Sequence, residues 1–196
     1  MKYSIQTNLI IAIFILCQKP PGLEYQNDKN LKTLGKGVFK IEVNSSVIVF
    51  KDSNLTKPIS KNLLNNSIVT PLLYKPDYDI NYYIYNNSTN RYLSLNSKDN
   101  QVLYIKNNKS LFIFDWNTFL KYEVFNLSIK DSILNRPQYF IDGKYIITSS
   151  WQNDDVQDIL EVHGDWVKIK NETRKIIYWI KWKNSNKLLV YLNMLV

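Results

Sequence analysis

The clearest pattern of apolar and polar positions covers residues 164–190 and predicts a β-hairpin. Two runs that alternate between apolar and polar residues are separated by a polar turn, which is typical of antiparallel strands that bury one face. In the first run, Val167 and Ile169 fall on one face, and Trp166 and Lys168 fall on the other. The first strand is therefore expected to carry a tryptophan and a lysine on its outer face.

The second run of the hairpin alternates in the same way. Tyr178, Ile180 and Trp182 share one face, whereas Trp179 and Lys181 lie on the opposite face. If the two strands pair, the outer tryptophans become cross-strand neighbours among ammonium groups. By its phase, Trp182 is predicted to be a core residue.

An earlier segment repeats this pattern and predicts an internal duplication. Tyr92 begins an alternating run as Trp166 does, and Tyr104 repeats the phase of Trp179 with a lysine, Lys106, two residues later. Twelve residues separate the two tyrosines and thirteen separate the two tryptophans. Registers that agree to within one turn residue favour duplication over coincidence.

Other elements follow from the same kind of pattern. A short helix is predicted at residues 115–121, with Asp115 as its cap and with Trp116, Phe119 and Leu120 at helical spacing. Further strands are predicted at 38–43, 46–50, 145–148 and 159–162.

The N-terminal residues 1–17 are typical of an export signal. Lys2 precedes an uncharged apolar run at 9–16, which is shorter than the roughly 20 residues that a membrane-spanning helix needs. A buried helix or strand is the alternative interpretation.

Two further segments lack apolar periodicity. Residues 18–35 are predicted to be a tether. The Asn-, Ser- and Pro-rich segment 51–71 is predicted to be a long loop of the kind that often binds ligands.

Cys17 is the only cysteine of the chain, and it lies where the export signal would end. A cysteine at this position is lipidated in bacterial lipoproteins, although the preceding residue is normally small and here is Leu16. The alternative is that Cys17 leaves with the signal. In both cases no thiol pair remains, so the core alone must hold the fold.

Composition and charge narrow the choice of partners. The chain is rich in Tyr, Ile, Leu and Asn and poor in Ala and Gly, a mixture that favours strands, and its formal net charge is +8. An exported basic protein meets anionic headgroups, cell-wall polymers and acidic partners before it meets nucleic acid, so no nucleic-acid partner is expected. The alternative is that the lysines form a solvated surface that keeps the protein soluble.

The sequence contains little that could carry catalysis. His163 is the only histidine, no cysteine nucleophile would remain after export, and no glycine-rich phosphate loop or serine elbow is present. His163 is interpreted as a turn residue, and the acidic segment 152–158 as a solvated loop in preference to a metal site. A Ser-His-Asp site or a carboxylate pair assembled from distant positions stays open. We therefore expect no catalytic residue, no cofactor and no metal.

Two short motifs resemble a known family. The sequences GDWVKIK at 164–170 and YWIKW at 178–182, followed by KLLV, resemble bacterial SH3-like domains, in which a Gly-Asp-Trp turn and strand precede a strand that begins Gly-Trp. Tyr178 stands where that family commonly has glycine. The likeness covers about the last forty residues. When the tryptophan-containing helix and the Asn-Arg-Pro sequence at 135–137 are added to these motifs, the chain also resembles uncharacterised exported tandem SH3-like proteins of the Bacteroidota.

The resemblance implies an all-β chain with two tandem small SH3-like β-barrels joined by a short helical segment. After the signal peptide at 1–17 and the tether at 18–35, the first and degenerate module would span 36–122 and the second 123–196.

The best candidate for binding is an aromatic and lysine face on each module. Aromatic platforms flanked by donors suit peptides, glycans or carboxylates. The alternative is that these rings cover the outer side of a barrel or are buried between the copies. The candidate ligand-binding residues are Trp166, Lys168, Trp179 and Lys181 in the second copy and Tyr92, Tyr104 and Lys106 in the first.

These features and the resemblance predict a monomeric, non-catalytic, exported protein of the periplasm that binds a cell-wall polymer or an envelope protein. Contact with the membrane is expected only through a lipid anchor at Cys17. Two alternatives stay open. One is an immunity- or inhibitor-type protein that blocks a toxin or an enzyme, and the other is an unrecognised hydrolase.

Overall fold

A computed structural model of the protein describes residues 25–27, 29, 31–42, 45–60, 68–130, 136–141 and 156–194. Strands dominate this part of the chain, and it contains one short α-helix, so the prediction of an all-β fold is confirmed. The predicted export signal, Cys17 and the predicted strand at 145–148 lie outside the described residues.

Two five-stranded antiparallel sheets form the first half of the described chain. One has the strand order β1-β5-β6-β2-β10 and the other β4-β3-β9-β8-β7. A 3₁₀ turn at Pro76–Tyr78 joins β5 to β6. The strands are β1 (Tyr25–Gln26), β2 (Gly37–Glu42), β3 (Val49–Phe50), β4 (Pro58–Ser60), β5 (Leu73–Lys75), β6 (Ile80–Tyr85), β7 (Asn87–Ser88), β8 (Tyr92–Asn96), β9 (Val102–Lys106) and β10 (Phe112–Asp115).

The second half contains the helix and smaller sheets with the orders β12-β13-β14, β11-β17 and β15-β16. The elements are α1 (Trp116–Tyr122), β11 (Val124–Ile129), β12 (Gln157–His163), β13 (Trp166–Asn171), β14 (Ile176–Lys181), β15 (Lys183–Asn184), β16 (Lys187–Leu188) and β17 (Val190–Met194). Gln138 extends the β12-β13-β14 sheet by an isolated bridge to Trp179, with the backbone N–H of each residue donating to the carbonyl of the other.

The helix α1 forms where the sequence predicts it. The side chain of Asp115 caps it by accepting a hydrogen bond of 2.7 Å from the backbone N–H of Thr118. Trp116, Phe119 and Leu120 are buried, as their helical spacing predicts. The cap and the apolar face of this helix are therefore confirmed.

Two hydrophobic cores lie on opposite faces of the β2–β6 pair. Because successive side chains of a strand point to opposite faces, Phe39 and Tyr83 pack into the first core and Val38 and Tyr82 into the second. The first core lies between the two five-stranded sheets. In the second core, the other face of the β2–β6 pair packs against α1 and against strands of the second half. The β2–β6 pair therefore contributes to both cores, and the boundary between the modules 36–122 and 123–196 stays a prediction.

The predicted tether at 18–35 requires a correction over its described part. Gln26 donates from Nε2 to the carbonyl of Val190 at 3.1 Å and accepts at Oε1 from the N–H of Leu192 at 2.8 Å. Leu34 is buried in the second core. The segment therefore docks through the glutamine amide, through the pairing of β1 with β5, and through Leu34 and the partly buried Leu31. The loop predicted at 51–71 likewise contains strand β4.

Candidate functional site

The hairpin of β13 and β14 has the predicted phase. Trp166 pairs with Lys181, and Lys168 pairs with Trp179, so each tryptophan faces a lysine across the strands. Both tryptophans are half-buried, whereas Trp182 is 1 % exposed and belongs to the second core. The predicted core position of Trp182 is confirmed. We call Trp166, Lys168, Trp179 and Lys181 the second outer face.

The hairpin of β8 and β9 brings the candidate residues of the earlier copy together in the same register. Tyr92 pairs with Lys106 as Trp166 pairs with Lys181, and Tyr104 lies two pairs further along the hairpin, as Trp179 does. We call Tyr92, Tyr104 and Lys106 the first outer face. Each hairpin therefore presents two aromatic rings and at least one lysine on the side away from its core.

The lysines of the second outer face already have partners. The ammonium of Lys168 lies 3.8 Å from the carboxylate of Glu161 and 5.5 Å from the centre of the Trp179 ring. Lys181 also has an interaction partner. A ligand anion on this face would have to compete with these contacts, which reduces what each charge can contribute to binding.

A further charge pairing lies at the edge of the same sheet. The carboxylate of Glu172 contacts the ammonium groups of Lys170 and, at 3.1 Å, of Lys175. The hydrogen bonds from Lys170 and then Lys175 lower the pKa of Glu172 from 4.5 to about 2. Reciprocally, the hydrogen bond with Glu172 raises the pKa of Lys170. These two lysines therefore also have an internal anionic partner, which they share.

The first outer face differs from the second in the ion-pair partners of its lysine. The rings of Tyr92 and Tyr104 meet edge to face with their centroids 5.1 Å apart, a favourable aromatic geometry. Lys106 is exposed, and it forms no ion pair within the described ranges. An uncompensated ammonium thus lies beside a preformed aromatic pair, which is a suitable arrangement for a ligand with an anionic group.

A shallow pocket of about 130 Å³ adjoins Lys106. Phe50 pairs with Tyr104 through β3 and β9, and Ile48, which is 44 % exposed, also lines the pocket with Asn108. The sequence pattern predicts a strand at 46–50 but does not indicate that these residues belong to a site. Their alternation placed Ile48 and Phe50 on one face, but only the pairing with β9 shows that this face is outward.

His163, the only histidine of the chain, lies next to the second outer face. His163 is exposed at the end of β12 and pairs with Trp166 across a two-residue turn that contains Gly164 at φ 58°. In the described ranges no three His, Cys, Asp or Glu side chains come close enough together to hold a metal ion. None of the helices in the described part of the chain has the length and apolar character needed to cross a membrane.

Comparisons with protein-family models, with curated proteins and with solved structures gave no match. The resemblance to bacterial SH3-like domains therefore depends on the motifs at 164–170 and 178–182 and stays a prediction.

Proposed function

We propose that this protein is a non-catalytic, exported binding protein of the cell envelope, built from two tandem SH3-like modules, and that it binds a cell-wall polymer through its first outer face. The observation that carries the proposal is the edge-to-face pair of Tyr92 and Tyr104 beside Lys106, which forms no ion pair within the described ranges.

The chemistry of this face favours a ligand that combines flat or apolar surface with negative charge. Tyrosine rings offer a large contact area and lose little rotamer freedom on binding. Because the ammonium of Lys106 has no ion-pair partner in the part of the chain that the structure describes, it can pair directly with a carboxylate or phosphate. Cell-wall polymers with peptide carboxylates or anionic sugars meet both requirements. The pocket beside Ile48 and Phe50 adds apolar contact area next to the charge.

The tandem architecture is supported by the register of the two hairpins. Leu93 pairs with Ile105, and at the equivalent position Val167 pairs with Ile180. In both copies a preceding strand pairs with the first strand of the hairpin, β7 with β8 and β12 with β13. Such matching pairings are expected if one module arose by duplication. Export to the periplasm and a lipid anchor at Cys17 rest on the apolar N-terminal sequence.

The experiment is co-sedimentation of the purified protein with purified peptidoglycan. We expect binding that falls roughly tenfold when Tyr92→Ala and Tyr104→Ala are combined. The matched control combines Trp166→Ala and Trp179→Ala on the second outer face, and it should keep most of the binding. Circular dichroism must show that both variants are folded. If the tyrosine variant binds like the wild type, or if the protein does not sediment with the polymer at all, the proposal fails.

An immunity- or inhibitor-type role is the second candidate, and a different surface favours it. Phe112 is 54 % exposed and packs at 5.3 Å under the ammonium of Lys40, which pairs with Glu123 at 3.2 Å. Tyr122, next to Glu123, is 66 % exposed. Exposed aromatic side chains such as these are typical of protein interfaces. Capture of a single protein from an envelope extract, lost in Phe112→Ala with Tyr122→Ala, would support this candidate.

A further inference from the structure

A second pocket, of about 50 Å³, lies at the other end of β8 from Tyr92. Its walls come from the segment 31–33, from Thr70, from the end of β6 and from the turn that joins β8 to β9. Asn96, the last residue of β8, lines this pocket. With a rise of about 3.3 Å per residue, it lies roughly 13 Å along the strand from Tyr92. The pocket is therefore distinct from the first outer face.

The charges around this pocket have one sign. Lys32 and Lys98 line it, and both are exposed. Neither lysine forms an ion pair with any residue that the structure describes. None of the described lining residues is an aspartate or a glutamate, and Asp99, although adjacent to Lys98, is not among them. Among the described residues, the pocket thus combines two ammonium groups with no lining carboxylate.

The neutral side chains of the pocket are oriented by hydrogen bonds to their own surroundings. The hydroxyl oxygen of Ser97 accepts from the N–H of Gln101 at 2.9 Å, and that of Thr33 accepts from the N–H of Gly35 at 3.0 Å. A hydroxyl that accepts in this way keeps its hydrogen for donation. These two hydroxyls are therefore positioned by the backbone and remain able to donate to a bound group.

An asparagine pair adds a further donor. The Nδ2 of Asn86 donates to the Oδ1 of Asn96 at 2.8 Å, so the amide of Asn96 is fixed at its oxygen. Its NH₂ group keeps its donor capacity. Both residues are half-buried at the pocket wall. Hydroxyl and amide donors thus surround a small volume that two ammonium groups make positive.

We propose that this pocket binds a small anionic group, a carboxylate or a phosphate. Convergent neutral donors with two cations and no lining carboxylate are what such a group requires for charge-assisted hydrogen bonds. The volume has room for only a few heavy atoms, so it accommodates the anionic group and not the whole molecule that carries it. The inference is independent of the proposed function, because it uses none of the residues of the first outer face.

The test is a titration of the isotope-labelled full chain with sodium phosphate and, separately, with sodium acetate at constant ionic strength, followed by amide NMR shifts. We expect saturable shifts at Ser97, Lys98 and Thr33 with at least one of the two anions. The double variant Lys32→Gln and Lys98→Gln should weaken binding by about tenfold or more, since charge-assisted hydrogen bonds are lost. The charge-preserving pair Lys32→Arg and Lys98→Arg should keep it.

The control variant is Lys109→Gln, which removes an exposed lysine outside the pocket and should leave the titration unchanged. A response to phosphate alone assigns the site to phosphate-bearing ligands, and a response to acetate alone assigns it to carboxylates. The proposal is overturned if neither anion gives saturable shifts, if glucose gives equal shifts, or if the double glutamine variant titrates like the wild type. Saturable shifts confined to the surroundings of Lys106 would also overturn it.

Discussion

The rings of Trp116 and Trp182 pack with their centroids 5.0 Å apart and their planes tilted by 45°. Each indole also donates a hydrogen bond from Nε1, Trp116 to the carbonyl of Leu34 at 2.8 Å and Trp182 to that of Gly164 at 3.0 Å. This contact joins the N-terminal segment, the helix α1 and the turn before β13 in one core. The second core therefore depends on residues from both predicted modules.

Replacing Trp182 by alanine should destabilise the protein strongly. The side chain is almost fully buried, so its removal leaves a cavity and is expected to lower the free energy of unfolding by about 3–5 kcal/mol. Trp179→Ala is the matched control from the same hairpin, because its ring is half-buried and should cost about 1 kcal/mol. Urea denaturation measures both. Equal losses in the two variants would contradict the assignment of Trp182 to the core and Trp179 to the outer face.

Alternation along the strands was enough to predict which side chains of β13 and β14 are buried. Period-two patterning leaves one arrangement that buries Val167, Ile169 and Ile180 together, and the structure has it. The helix α1 was predictable for a similar reason, since the cap at Asp115 and the spacing of Trp116 and Phe119 are local signals.

Long-range contacts were not predictable in this way. The docking of Gln26 against β17 depends on two hydrogen bonds between residues 164 and 166 positions apart, and the surrounding sequence shows no apolar period. The burial of Val38 and Phe39 in different cores was also not predictable from a pattern with one buried face, because β2 is buried on both of its faces. Likewise, whether Lys106 forms an ion pair depends on which acidic side chains the fold brings near it, and none of the described ones pairs with it.

Two glycines with the same backbone conformation should respond differently to substitution. Gly35 and Gly164 have φ values of 52° and 58°, so alanine is strained at both positions. A Cβ at Gly35 would also collide with the backbone oxygen of Tyr85, whereas at Gly164 it would meet open space. We expect Gly164→Ala to cost about 1 kcal/mol and Gly35→Ala at least about 2 kcal/mol more, measured by thermal or urea unfolding. Similar losses would mean that Gly35 does not have this close contact.

The pH dependence of stability should include a contribution from Glu172. Its pKa is about 2 in the folded state and near 4.5 without its lysine partners. Because the folded value is the lower one, the stabilisation is present above pH 4.5 and is lost as the pH falls toward 2. Urea midpoints measured between pH 5 and pH 2 should therefore depend less on pH in Glu172→Gln.

An NMR titration of the Glu172 side chain tests the same contacts directly. The midpoint should lie near pH 2 in the wild type and should rise toward 4.5 in Lys170→Gln, with a smaller rise in Lys175→Gln, since Lys170 makes the larger contribution. Lys187→Gln is a control, because this exposed lysine in β16 is not among the groups that lower the pKa of Glu172. A wild-type midpoint near 4.5 would show that the ion pairs do not persist in solution.

Lys106 and Lys168 should contribute differently to ligand binding, although their outer faces occupy equivalent hairpins. Lys106→Gln removes a charge that has no ion-pair partner among the described residues, and it should weaken binding to peptidoglycan by about 1 kcal/mol, roughly fivefold in Kd. Lys168→Gln removes a charge that Glu161 already compensates, so we expect a change of less than about twofold. Both variants alter exposed or half-buried side chains and should keep the stability of the wild type.

The salt dependence of peptidoglycan binding identifies the electrostatic part of the binding free energy. Raising the ionic strength from 0.05 M to about 0.5 M shortens the screening length to a few ångströms, so wild-type affinity should fall toward that of Lys106→Gln. The affinity of Lys106→Gln itself should change less over this range, because the tyrosine contacts are not screened. If Lys168→Gln shows the larger loss, or if both variants keep the salt dependence of the wild type, the ligand is not bound through the ammonium of Lys106.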